Sequence, residues 1–246
     1  MEENMTIKEN SRETGRKSAG NILTGILVIG SIWGLLDALT VIYFSPVCNI
    51  KKLCLCPMTV VLYGFPLMTF AMVKYRKPLM TIGIGVVAAL FKLLDFAILP
   101  LPVIDDRTIY QPVVNPALAA ITVSIVYTAL VAPFLKKTEK NIFYRIIIGA
   151  IAGFCSITAF VYTAFYITQT PPLIVITPIE LLFPFHGLAT ASLGAICLPL
   201  GYWIAIKLNQ TATLLPVKKP VLYYFVSGFI VVFNIIASTI ILISGS

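Results

Sequence analysis

Histidine occurs once in this 246-residue chain, at His186. One imidazole excludes most zinc hydrolase designs, HExxH metalloproteases and haem ligated by two histidines. The chain has no GxxxxGK-Ser/Thr segment, so it cannot itself hydrolyse ATP by the P-loop route, and no GxSxG elbow of a serine hydrolase. No motif requires a cofactor. Charge is scarce as well: Asp, Glu, Lys and Arg together make up 11% of residues, against 59% hydrophobic ones. With a mean hydropathy of +0.95, a water-soluble core is excluded.

What the chain does have is apolar runs of about twenty residues or more, the length needed to cross roughly 30 Å of hydrocarbon. Spanning segments are predicted at Ile22 to Phe44, Pro57 to Val73, Leu79 to Leu101, Val113 to Leu135, Ile146 to Thr168, Gly187 to Ile206 and Val221 to Ile243. The expected fold class is therefore all-α, a polytopic membrane helix bundle of about seven spans, with six as the alternative count because the second segment is the shortest. Residues 1–20 form a polar tail with four acidic and four basic residues and no cleavable signal pattern, and residues 21–246 form one membrane domain. Leu173 to Phe185 is apolar but carries Pro178, Glu180 and Pro184, which suits a re-entrant or interfacial segment.

The net charge of +8 does not point to nucleic acid, because the basic residues cluster between apolar runs. In the seven-span map the tail, the second, fourth and sixth connections carry fourteen Lys and Arg residues, the opposite side three (Lys51, Lys52 and Arg107), and Lys92 lies inside a span. That asymmetry places the N-terminus in the cytoplasm of a multi-pass plasma-membrane protein. The lipid bilayer is the one partner the composition demands.

Ionisable residues inside spans are costly and are functional candidates by default. Asp37, Lys92 and Asp95 fall in the outer halves of outward-running helices, and Glu180 and His186 flank the outer end of the sixth. Gly30, Gly34 and Asp37 share one helical stripe, as do Thr81, Gly85, Ala88, Lys92 and Asp95, so Asp37 is expected to meet Lys92 across a helix contact. Further small-residue stripes run through Gly149, Gly153, Ser156 and Thr163, and through Gly187, Ala191, Gly194 and Cys197. Outer connections add Asn115 and the segment from Asp105 to Gln111, and Tyr162, Tyr166 and Gln169 close the fifth helix. The bland alternative is an ion pair of Lys92 with Asp37 or Asp95 that fixes helix register and binds nothing.

Three of the five cysteines, Cys48, Cys54 and Cys56, lie in the first outer loop. A disulfide between Cys48 and either of the others is the first reading, with inert thiols between it and redox or metal chemistry. They are weak metal candidates, because the spacing is not CxxC and His186 is the only histidine that could complete a set. Cys155 and Cys197 sit in spans as small apolar residues. An embedded enzyme using Asp37, Asp95 and Glu180 is compatible with the sequence, but nothing fixes a reaction. The segment GLLDALTVIYFSP at 34–46 and KLLDFAILPLP at 92–102 echo each other, as a repeat of two-helix units would.

In its size, its first-helix face of Gly30, Gly34 and Ala38, and its outer polar cluster with NPALA at 115–119, the chain resembles the substrate-binding S components of energy-coupling factor transporters. The resemblance implies capture of a small solute from outside, docking of the first-helix face on a transmembrane coupling subunit, and energy from separate ATPases. It departs from that family in having seven predicted spans rather than six and in its outer cysteines. The histidine-bearing N-terminus of the metal-specific branch is absent from MEENMTIKEN, which disfavours cobalt or nickel. The leading expectation is a transporter or transporter subunit whose small-molecule solute is lined by Asp37, Lys92, Asp95, Asn115, Glu180 and His186. The alternatives are a membrane thiol protein and a structural membrane subunit.

Overall fold

The computed structural model describes residues 19–40, 56–94, 103–104, 107–108, 111–168 and 186–245. They form an all-α membrane bundle: α1 (Ala19–Thr40), α2 (Cys56–Tyr75), α3 (Leu79–Leu93), α4 (Gln111–Val131), α5 (Leu135–Lys140), α6 (Ile142–Thr168), α7 (Leu188–Lys218) and α8 (Pro220–Gly245). A two-rung antiparallel hairpin pairs Val103 with Thr108 and Ile104 with Arg107 ahead of α4. Among the described residues six helices are long and apolar enough to cross a membrane, and the third predicted span is represented by the shorter apolar α3.

Helix boundaries follow local chemistry. α2 stops where Arg76 takes a left-handed conformation, φ 55°, with its N–H donating to Met72 O, and Pro78 bars continuation before α3 begins. Pro133 tightens the end of α4 into the 3-10 turn Ala132–Phe134, after which α5 carries the chain to Lys140. α7 outruns its predicted span: its 31 residues reach about 46 Å at 1.5 Å per residue, well past the hydrocarbon, so the expected sixth loop is largely helix. The second span, read as the shortest, is a 20-residue helix that accommodates Pro66.

Because lipid is as apolar as leucine, these helices are held by close approach and by interhelical hydrogen bonds rather than by hydrophobic burial. Among α2 to α8 the largest seams join α6 to α7, α2 to α7, α3 to α4 and α4 to α6. At the α6–α7 seam the backbones touch: Gly149 faces Gly194 and Gly153 faces Thr190, so the predicted small-residue stripes of these two helices meet. Hydroxyls bridge other seams, with Thr69 to Tyr127 at 2.7 Å, Thr81 to Thr128 at 2.6 Å and Asn234 Nδ2 donating to Ser31 Oγ at 2.9 Å. Since Thr69 Oγ1 donates to Phe65 O, the Tyr127 phenol is the donor to Thr69. Tyr127→Phe therefore leaves no group newly unsatisfied, and its expected cost is about 0.6 kcal/mol, readable as a small drop in the detergent thermal midpoint.

The basic connections converge on one pole. Arg76 pairs with Glu139, Arg145 donates to Thr138 O and Glu139 O and lies 4.5 Å from the Tyr202 ring, and Lys207 stands 4.4 Å from the Trp203 ring. Asn21 of α1 and Tyr224 of α8 join at the same pole.

Candidate functional site

At the opposite pole, α1 to α4 bring three polar side chains to one depth. α1 and α3 run side by side, Gly30 against Val87 and Gly34 against Phe91, so Asp37 and Lys92 lie within about 3 Å of each other along the axes. α4 runs antiparallel to α3, with Thr81 bonded to Thr128 and Gly85 against Ser124. From that register Lys92 lies about 11 Å and Asn115 about 14 Å beyond the Gly85–Ser124 level. All three are enclosed: Asp37 and Lys92 are 3% exposed and Asn115 9%.

The contact expected between Asp37 and Lys92 takes a different form. The α1 stripe of Gly30 and Gly34 meets the Val87 and Phe91 face of α3, whereas Thr81, Gly85, Ala88 and Lys92 line the α4 seam, one residue and about 100° around the helix. Asp37 follows Trp33, which covers Gly64 of α2, and precedes Thr40, which donates to the Tyr63 hydroxyl of α2. Asp37 and Lys92 thus enter the interior of the α1–α4 group from different seams. A stripe read from sequence shows which face is small, not which neighbour it meets.

Lys92 Nζ and Asn115 Oδ1 are buried with no hydrogen-bond partner among the described residues. Trp33 Nε1, Ser156 Oγ and Ser238 Oγ share that condition, but each is one neutral group, whereas Lys92 brings three donors and a charge. An ammonium ion at membrane depth costs at least about 2.5 kcal/mol, and an unmet buried acceptor adds to it. Lys92 offers its donors to an anionic group, Asn115 an acceptor to a donor, and Asp37 a carboxylate to a cation.

His186 is 2% exposed and forms the π-type turn ahead of α7, where its carbonyl accepts from Thr190 Oγ1 at 2.7 Å. With Cys197 against Leu62 and Trp33 against Gly64, His186 stands on the order of 10 Å nearer the pole than Asp37. It belongs to the approach rather than to the level of Lys92. Tyr162 and Tyr166 are exposed on α6, at a bundle surface where aromatic side chains are ordinary. Asp95, Glu180, Cys48, Cys54, and the segment from Leu173 to Phe185 lie outside the described residues, as does the side chain of Cys56. Cys155 and Cys197 are free thiols, the latter buried. Among the described residues no three His, Cys, Asp or Glu side chains gather as a metal set.

Compared with protein-family models, with curated proteins and with solved structures, the chain matches none.

Proposed function

We propose that this multi-pass membrane protein is a transporter, or the substrate-binding subunit of one, that takes a small solute from the face opposite its basic pole. The observation that carries this reading is the enclosed Lys92 ammonium without a partner among the described residues, level with Asn115 Oδ1 on the same helix seam and with Asp37 across the interior. Such an arrangement suits a small anionic or zwitterionic solute: its acid meets Lys92, a hydrogen-bond donor meets Asn115, and an amine meets Asp37. His186 lines the approach from the outer face. In this reading that face lies outside the plasma membrane, which the asymmetry of the basic residues supports.

The S-component reading supplies the energetics through separate ATPases and a coupling subunit; an ion gradient coupled through a carboxylate such as Asp95 is the other route. On the first route the coupling surface differs from the first-helix face that the resemblance implies. Gly30 and Gly34 are covered by Val87 and Phe91 of the same chain, and Ala38 is 4% exposed, so a partner has to dock elsewhere, on the exposed faces of α6 or α8.

Native mass spectrometry of protein released gently from its own membrane tests the reading. The wild type carries a small non-lipid molecule, and Lys92→Met and Asn115→Leu each lose it while remaining folded. Wild-type protein that carries lipid alone, or a molecule that persists in both variants, contradicts the site.

A further inference from the structure

A crevice of about 230 Å³ opens near the basic pole between α1, α2 and α8. It exists because α8, the least enclosed of the spanning helices, is pinned to the bundle at separated points. Tyr224 Oη donates to Asn21, Tyr75 and Tyr223 hydroxyls stand 3.5 Å apart, and higher up Asn234 donates to Ser31. Between those points Gly25, Ile29, Phe70, Val226 and Ser227 line largely apolar walls. Lys74 is its one basic lining residue among those described, its Nζ 4.9 Å from the Tyr75 ring centroid and 5.7 Å from that of Phe70. Among the described residues no carboxylate pairs with Lys74; Glu139 is taken by Arg76. Lys219, exposed one turn before Tyr223, adds a second cation on the same side.

We infer that this crevice holds a phospholipid with an anionic headgroup from the leaflet at the basic pole, one acyl chain lying between α8 and α1 and the phosphate meeting Lys74 and Lys219. The walls match a hydrocarbon chain and the mouth matches its charge, the combination by which basic pockets between membrane helices select acidic lipids. The aromatic faces of Phe70 and Tyr75 hold the ammonium in place in advance. The lipid would fill the hollow beside α8, so the last helix is seated on the bundle partly through it.

Full-length protein in nanodiscs containing equal amounts of phosphatidylcholine and phosphatidylglycerol, released for native mass spectrometry, tests this. The wild type retains phosphatidylglycerol over phosphatidylcholine, and each lysine accounts for about fivefold of that preference. Lys74→Gln lowers it about fivefold, exposed Lys140→Gln leaves it intact, and Ser227→Phe, which fills the crevice without altering charge, abolishes retention of both lipids. If Lys74→Gln fails to fold, Lys219→Gln, at an exposed position, gives the same reading for the second cation. Equal retention of the two lipids by the wild type overturns the inference, as does a preference that survives the lysine changes or is displaced by inorganic phosphate.

Discussion

Gly194→Ala, a gain of one methyl group, separates α6 from α7 and costs on the order of 3 kcal/mol or more, the upper end of overpacking penalties. A Cβ at Gly194 would overlap the carbonyl oxygen of Gly149, and a Cβ at Gly149 would overlap that of Gly194. Both obstacles are backbone, so no rotamer change relieves them. One turn along, Gly153 meets Thr190 O in the same way, which leaves the seam no room to slide. In solution such a clash is partly offset by burial of the added methyl, but between helices in lipid that compensation is absent. Gly228 of α8 is the internal control, since nothing lies within 4 Å of its absent Cβ. Gly228→Ala is expected to change stability by no more than about 0.5 kcal/mol. Thermal unfolding in one detergent, read by tryptophan fluorescence, compares the two; equal midpoints would remove the close-approach account of this seam.

Lys92→Met has the opposite sign on stability and the largest effect on function. Removing an enclosed ammonium that has no partner among the described residues relieves its desolvation, so solute-free protein gains on the order of 2 kcal/mol while solute binding and transport fall to background. The structural-ion-pair alternative predicts the reverse, since truncating one member of a buried pair strands the other and costs about 3–5 kcal/mol. Thermal midpoints of wild type and Lys92→Met, measured after exhaustive removal of bound small molecules, separate the two by sign alone.

Much of this architecture is legible in the amino-acid sequence. Apolar run length locates every described spanning helix, because the bilayer sets that length, and the alternation of basic residues anticipates that Arg76, Arg145 and Lys207 gather at one pole. Depth is legible too, so Asp37 and Lys92 can be placed at a similar level; that Asn115, read as part of an outer connection, joins them follows only from the register of α3 against α4. Lateral pairing is not. Gly34 and Lys92 each lie on a readable stripe, but the neighbour is Phe91 in one case and the α4 seam in the other, a choice made by long-range packing. The length of α7 escapes a hydropathy reading because its polar second half looks like loop, although nothing in it breaks a helix outright until Pro216. The hydroxyl bridges of Thr69 with Tyr127 and Thr81 with Thr128 pair residues 58 and 47 positions apart, beyond any local pattern. The Lys74 crevice has one local sign, a lysine in the last turn of a span with aromatics at i−4 and i+1.

The central claim is that the Lys92 ammonium and Asn115 receive a small molecule at the pole opposite the basic loops. A cryo-electron-microscopy map of protein taken from its own membrane tests this most directly. The account predicts non-protein density bridging Lys92 Nζ and Asn115 in the interior of α1 to α4; Lys92 drawn into an ion pair with Asp37 or Asp95, with no density between, would contradict it.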